Sequence, residues 1–127
     1  LGTWLGDKKW DVIHFNFGIH DRATPEADYE QRLETIATRL DATGARLIWA
    51  SSTPLPEQST YGSDAAIVTR NEIAARVMHR HGIPIDDLYA DIKLRLGEFQ
   101  RPNDVHFSET GYQFLGQRVA TALRQAF

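Results

Sequence analysis

The chain has 127 residues, of which 42% are hydrophobic and 24% are charged, and its net charge at pH 7 is −3. This size fits one domain covering residues 1–127, with ample aromatic side chains for a core, and the acidic balance argues against nucleic-acid binding through phosphate neutralisation. Cysteine is absent, which excludes disulfides and thiolate metal sites, and no apolar run reaches the length of about 18 residues that a membrane span needs.

The first half of the chain alternates between strand and helix patterns. The apolar run at residues 11–18 predicts a strand buried on both faces. At residues 24–26, Thr-Pro-Glu supplies an N-cap, a proline at the first helical position and an early acid, and the helix that follows is expected to end near Gly44. A second short strand is predicted at residues 46–50, and it leads into the proline-containing segment 51–56.

The second half continues this alternation. Ser63 is expected to cap a long helix that ends at Gly82, and residues 83–88 predict a third, proline-bearing strand. A polar stretch at residues 97–105 predicts a loop, after which Ser108 is expected to cap the last helix.

This order of elements predicts an α/β fold with a parallel sheet and helices on its faces. In such sheets the carboxyl ends of the strands share one rim, and functional sites form there. The rule places residues 18–21, 51–54 and 103–108 together on that rim. Three strands are few for a sheet of this type, so we expect the sheet to be incomplete at its N-terminal side.

Two polar clusters on this rim are candidates for chemistry. The first contains Asn16 and His20, whose side chains can donate hydrogen bonds to a developing oxyanion. The second places His106 beside an acid, which is the base and orienting half of a nucleophilic site. His14 lies within the first strand and is expected to be a core or interface residue. No metal or cofactor is expected, because the histidines show no ligand spacing.

Two sequence blocks carry a resemblance to a known family. Residues 10–21, WDVIHFNFGIHD, are similar to a block that is usually Gly-x-Asn-Asp after a buried strand. Residues 104–112, DVHFSETGY, are similar to an Asp-x-x-His block that enters a final helix, and residues 48–54 look like the strand and loop between them. In this order, the blocks resemble the C-terminal part of an SGNH (GDSL-type) hydrolase.

The resemblance implies a three-layer α/β/α fold with a flavodoxin-like sheet, and hydrolysis of a small-molecule or carbohydrate ester by Ser, His and Asp. His106 falls on the family's catalytic base. Gly18, His20 and Asp21 fall on the Gly-x-Asn-Asp block. His20 takes the place of the oxyanion-hole Asn, and Asn16 on the preceding strand is a second oxyanion candidate.

Two departures from the family pattern concern the triad. The family acid stands three residues before the base, where this chain has Asn103, whereas the acid here is Asp104, two residues before His106. A one-residue bulge would bring Asp104 into the orienting role. The Gly-Asp-Ser block that carries the nucleophile is not found, and Lys8 follows Gly-Asp where the serine would stand.

We therefore expect this chain to be part of such a hydrolase, without its first strand, nucleophile and second strand, and inactive by itself. The serines that could replace the nucleophile are Ser51, Ser52, Ser59, Ser63 and Ser108. Of these, Ser51 and Ser52 lie on the predicted rim, whereas Ser108 is better explained as a helix cap.

Two other function classes compete with this interpretation. One is a non-catalytic α/β binding or interaction domain, and the other is a metal-dependent phosphoesterase-like domain, which would need clustered Asp and His ligands.

An incomplete sheet would also leave Val12, Ile13, Phe15 and Phe17 without packing partners. Self-association through the exposed sheet edge would then be favoured, since burying each of these side chains contributes about 1.5–3 kcal/mol.

Overall fold

Three parallel strands form a single sheet in the order β1-β2-β3. The structure is a computed structural model that describes residues 1–127. The strands are Val12–Phe15 (β1), Arg46–Ala50 (β2) and Ile85–Asp86 (β3). Their carboxyl ends point the same way, so the segments that follow them share one rim, as the sequence predicts.

Six helices and one 3₁₀ turn connect and cover the strands. The helices are Gly2–Leu5 (α1), Glu26–Asp41 (α2), Asp64–Arg80 (α3), Leu88–Lys93 (α4), Leu96–Phe99 (α5) and Glu109–Gln125 (α6). The 3₁₀ turn is Ile19–Asp21. None of these helices combines the length and the apolarity that a membrane crossing requires.

The sheet is covered on both faces, which gives the expected three-layer α/β/α arrangement. Helices α2 and α3 pack on one face, and the core between them and the sheet is centred on Trp49 of β2, which is 1% exposed. Helix α6 lies against the other face, where Ile48 of β2 is buried. A second, smaller cluster joins α4, α5 and α6 beside the sheet; it contains Ile92, Phe99, Phe107 and Leu115.

Two predicted strands are shorter than their apolar runs. The strand predicted at residues 11–18 ends at Phe15, because the residues beyond it turn toward the rim. The strand predicted at residues 83–88 is only two residues long. Asp87 ends it by capping α4, since its carboxylate accepts a hydrogen bond from the Ala90 N–H at 3.2 Å.

Helix starts also differ from the sequence-based expectation. Pro25, rather than Thr24, occupies the N-cap position of α2, and no side chain caps that helix. Ser63 stands at the N-cap of α3 without a capping hydrogen bond. Ser108 caps α6 as predicted, because its Oγ accepts a hydrogen bond from the Gly111 N–H at 3.2 Å. The predicted loop at residues 97–105 begins within the short helix α5.

Strand β1 forms one edge of the sheet, beside an apolar groove that α1 partly covers. Val12, Ile13 and Phe17 are half-buried there. The expectation that these side chains lack partners is wrong for Phe15, which packs into the core under α2 and α3 and is only 8% exposed, and for Ile13 and Phe17, which pack against the same core. Self-association through this edge stays a prediction.

The close packing of α6 against α5 leads to a stability prediction at Gly111. A Cβ atom at this position would lie 2.7 Å from the Phe99 carbonyl oxygen and 2.9 Å from the Phe99 Cβ. Gly111→Ala is therefore expected to lower the free energy of unfolding by about 1–3 kcal/mol. Gly116→Ala in the same helix is the matched control, because nothing lies within 4 Å of its Cβ position.

We expect the control to stabilise the protein by about 0.5–1 kcal/mol, since alanine loses less conformational entropy than glycine in a helix. Urea denaturation of both variants measures the two effects. Equal unfolding midpoints for the two variants would contradict the packing described here.

Candidate active site

The carboxyl ends of β1 and β2 are tied together by Asn16. Its side-chain Nδ2 donates one hydrogen bond to the Ala50 carbonyl at 2.6 Å and another to Ser52 Oγ at 3.1 Å. Ser52 Oγ in turn lies directly against Gly18, where a Cβ atom would come within 2.0 Å of it. A side chain at position 18 would displace the Ser52 hydroxyl from its hydrogen bond with Asn16, so the sequence Gly-Ile-His-Asp begins at a close contact between the segments that follow the two strands.

The segment after Ala50 is fixed by a second set of polar contacts. Asn71 of α3 accepts a hydrogen bond from the Ser52 N–H and donates one to the Ser52 carbonyl, both at 2.9 Å. Asp64 Oδ1 accepts a hydrogen bond from the Leu55 N–H at 2.9 Å. Desolvation raises the pKa of Asp64, but hydrogen bonds from Lys93 and Tyr89 outweigh it and hold that pKa below its usual value.

His106 and Asp104 form a hydrogen-bonded pair within one turn of chain. The pairing of Gln100 with Phe107 closes this turn, and Asn103 adopts a left-handed conformation with φ of 55°. The turn brings Asp104 Oδ1 to 2.7 Å from His106 Nδ1. The acid two residues before the histidine thus reaches the ring.

The charge state of this pair determines which ring nitrogen is free. The hydrogen bond from the His106 side chain lowers the pKa of Asp104, and the His106 backbone N–H, which donates to the same oxygen at 3.1 Å, lowers it further. An ionised carboxylate only accepts hydrogen bonds, so Nδ1 carries a proton, and in the neutral imidazole the lone pair is on Nε2. The side chains of His106 and Asp104 are 59% and 38% exposed, respectively.

His20 and His106 line the same cleft on the rim of the sheet. The cleft has a volume of about 320 Å³ and is lined by Ile19, His20, Thr53, Tyr61, Val105, His106, Phe107, Tyr112 and Leu115. His106 comes from the turn before α6, and His20 comes from the 3₁₀ turn after β1. The His20 ring makes no hydrogen bond within the chain, so its nitrogens are free to interact with a bound molecule.

Asn16 does not line this cleft. Both N–H bonds of its amide donate to Ala50 and Ser52, and its role as a second oxyanion donor stays a prediction. Asp21 lies in the 3₁₀ turn beside His20, and its N–H donates to the Gly18 carbonyl at 2.9 Å. The cleft is therefore lined by His20 and by His106, which Asp104 binds, while Gly18 and Asp21 form the turn that carries His20.

Most of the serines considered as alternative nucleophiles have structural partners. Ser51 Oγ is buried and donates to Asp87 Oδ1 at 2.9 Å, while the Ser52 hydroxyl accepts from Asn16. Ser59 Oγ accepts from the Tyr61 N–H, and Ser108 caps α6. No serine side chain hydrogen-bonds to His106.

Two of the remaining histidines have side-chain partners away from the cleft. His14 Nε2 lies 2.9 Å from Asp86 Oδ2 on the sheet, and His81 Nε2 lies 2.6 Å from Glu34 Oε2 at the far end of α3. The structure brings no three His, Asp or Glu side chains together in an arrangement suited to a metal ion.

The His106–Asp104 pair predicts a shifted titration of the acid. Because His106 stabilises the ionised carboxylate, we expect Asp104 to titrate below the usual Asp pKa of about 3.9, and His106→Ala to raise its pKa back toward that value. The stabilisation from the pair is present above the usual pKa and is lost as pH falls through the lowered one. Carboxyl ¹³C NMR measures both states.

The matched control is His81→Ala, which removes a histidine that pairs with Glu34 instead. This variant is expected to leave the pKa of Asp104 unchanged. An Asp104 pKa that does not move in His106→Ala would show that the pair is not formed in solution.

The fold and the sequence of this chain match those of known hydrolases. The profile of the GDSL-like lipase/acylhydrolase family matches residues 2–114, whereas no curated protein matches the chain. A lipase/acylhydrolase from Enterococcus faecalis is similar in structure, with a TM-score of 0.79 and 22% identity over 91% of this chain. LAE5, an alpha/beta hydrolase enzyme from the metagenome of Lake Arreo, Spain, has a TM-score of 0.76 and 18% identity over 95% of this chain.

An acetyl xylan esterase, AlAXEase, is also similar, with a TM-score of 0.72 and 16% identity over 88% of this chain. The chain spans 62%, 64% and 66% of the lengths of these three proteins, in the order given, which is just under two thirds of each. The family match covers most of the chain and includes both of the blocks that carry the cleft histidines. The chain therefore belongs to the GDSL-like lipase/acylhydrolase family of SGNH-type hydrolases.

Proposed function

We propose that these residues form the base and oxyanion side of a serine ester hydrolase. The observation that carries the proposal is the His106–Asp104 pair, whose free Nε2 shares a cleft with the unpartnered ring of His20. The nucleophile would be the serine of a Gly-Asp-Ser block in a segment outside these 127 residues. In this proposal residues 1–127 are one part of a single SGNH-type domain.

Each residue has a defined step in this chemistry. His106 Nε2 takes the proton from the serine hydroxyl as its oxygen bonds to the ester carbonyl carbon, and Asp104 stabilises the imidazolium that forms. A ring N–H of His20 donates to the oxyanion. His106 then returns the proton to the departing alcohol, which leaves an acyl-enzyme. A water molecule, activated by the same base, releases the acid and restores the serine.

A short acyl group on a carbohydrate is the substrate class that we propose. The aromatic rings of Tyr61 and Tyr112 border the cleft and are partly exposed, as they must be to stack on sugar rings. A second groove on the rim is lined mainly by polar side chains, among them Glu57, Gln58 and Arg101, which can hydrogen-bond to hydroxyl groups. Similarity to a protein named as an acetyl xylan esterase supports the same class.

A non-catalytic binding domain is the second candidate function. Two observations favour it. These 127 residues contain no Gly-Asp-Ser sequence. The hydroxyl groups of Ser51 and Ser52 on the rim take part in hydrogen bonds with Asp87 and Asn16. In that case the cleft would bind an ester or sugar without cleaving it.

Labelling with a serine-reactive fluorophosphonate separates the two functions. The 127-residue chain is expected not to label, because no serine lies within hydrogen-bond reach of His106. The full-length gene product is expected to label at a Gly-Asp-Ser serine, and its His106→Ala variant to lose labelling. His81→Ala serves as the matched control and should label normally. Failure of the full-length protein to label would favour the binding domain.

The orienting role of Asp104 predicts a loss of turnover in the full-length gene product. Asp104→Asn is expected to lower kcat for an acetyl ester by about 10²–10⁴-fold, because the amide no longer holds the correct imidazole tautomer. Asn103→Gly is the control, since glycine keeps the left-handed backbone and removes only the side chain. A larger loss in Asn103→Gly than in Asp104→Asn would assign the orienting role to Asn103.

A further inference from the structure

Arg70 in the middle of α3 is a buried charged residue that the hydrolase chemistry above does not use. Its side chain is 6% exposed, and no carboxylate lies within ion-pair distance of the guanidinium. Its donors point instead at three backbone carbonyls. Nε donates to Asp21 at 3.2 Å, and Nη2 donates to Arg22 at 3.1 Å and to Thr24.

Tyr29 of α2 holds the other end of the same segment. Its hydroxyl donates to the Phe17 carbonyl at 2.6 Å, and the Arg70 guanidinium lies 5.1 Å from the centre of its ring. Burial raises the pKa of Tyr29 well above its ordinary value, and the nearby charge of Asp21 raises it further. The hydroxyl therefore stays protonated and acts as a donor across the working pH range.

Burying the Arg70 guanidinium lowers the stability of the fold, so its presence indicates a role other than filling space in the core. Removing a guanidinium from water costs several kcal/mol, and replacing buried ionic groups by apolar side chains of similar volume is often neutral or stabilising. Helical spacing places Arg70 on the same face of α3 as Ile67 and Ala74, where core residues are apolar. An apolar side chain of the same volume could not donate hydrogen bonds to several carbonyl groups, as the planar guanidinium does.

We propose that Arg70 is a positioning residue for the oxyanion side of the active site, an inference that rests on the proposed function. The His20 ring makes no hydrogen bond within the chain, so its place in the cleft depends on the backbone that carries it. Arg70 fixes that backbone after His20, while Tyr29 fixes it before Gly18. Held between them, residues 18–24 keep the His20 ring at the edge of the cleft opposite His106.

The test uses the full-length gene product and two readouts. Hydrogen–deuterium exchange measures the amides of residues 18–24, and steady-state hydrolysis of p-nitrophenyl acetate gives kcat and KM separately. Arg70→Met is expected to speed exchange in this segment by about tenfold or more and to lower kcat by about 10–100-fold, with KM changed less than threefold, because a donor to the oxyanion acts mainly in the transition state. Arg70→Lys is expected to recover part of both, since it keeps the charge and some of the donors.

Arg76→Met is the matched control on the same helix. Arg76 is exposed and lies 3.9 Å from Glu30, so its loss is expected to change neither readout. All variants are compared at a temperature at which circular dichroism shows each to be folded. A variant that does not fold is replaced by Tyr29→Phe, which removes only the donor to the Phe17 carbonyl and is expected to speed exchange in the same segment.

The outcomes separate this inference from the proposed function. Unchanged exchange at residues 18–24 in Arg70→Met overturns the positioning role, whatever the activity. Faster exchange with an unchanged kcat also overturns it, because the segment would then be held without benefit to catalysis. A wild-type protein that neither labels nor hydrolyses the ester removes the proposed function and, with it, the catalytic role of Arg70. The exchange result then still decides whether Arg70 holds the backbone of residues 18–24.

Discussion

The contact between Ser52 Oγ and Gly18 is the constraint on which the rim of this protein depends. A side chain at position 18 would occupy the space of the Ser52 hydroxyl and displace it from its hydrogen bond with Asn16, so glycine keeps the segments after β1 and β2 side by side. Asn16 and Asn71 fix the same serine from two other directions. The segments after β1 and β2 consequently leave the sheet together, and the cleft forms where they separate.

The two sides of the cleft are built in different ways. His106 and Asp104 belong to one turn, so their hydrogen bond depends on local backbone geometry and on the closing pair Gln100 and Phe107. His20 depends on distant residues, because its segment is held by side chains of α2 and α3. The proposed base can therefore be oriented by a few neighbouring residues, whereas the proposed oxyanion donor requires the assembled core.

Sequence patterns predicted the parts of the structure that depend on local information. Strand β2 has its predicted bounds, and Ser108 caps α6 as expected, because apolar runs and capping residues act over a few positions. The predictions failed where a distant partner decides the outcome. Thr24 was expected to cap α2, but Pro25 stands at the N-cap and the Thr24 carbonyl accepts a hydrogen bond from Arg70 of α3. Strand β3 ends early at Asp86, and the next residue, Asp87, accepts a hydrogen bond from Ser51, which follows β2.

The same limit applies to the site. The order of the blocks predicted that His20 and His106 lie on one rim, but it could not show that the Asn16 amide is already engaged by Ala50 and Ser52. The position of Arg70 among the buried apolar residues of α3 could have been recognised from the sequence, because it follows the helical spacing of the core. The backbone carbonyls that it binds could be found only from the structure.

The central claim is that His106 and His20 act on the same reacting group. Its most direct test is the structure of the full-length protein after reaction with a phosphonate ester that mimics the tetrahedral intermediate. We expect a covalent serine adduct in the cleft, with one phosphonyl oxygen within about 2.6–3.2 Å of a His20 ring nitrogen and His106 Nε2 within the same range of the serine oxygen. An adduct that leaves either histidine out of hydrogen-bond reach would contradict it.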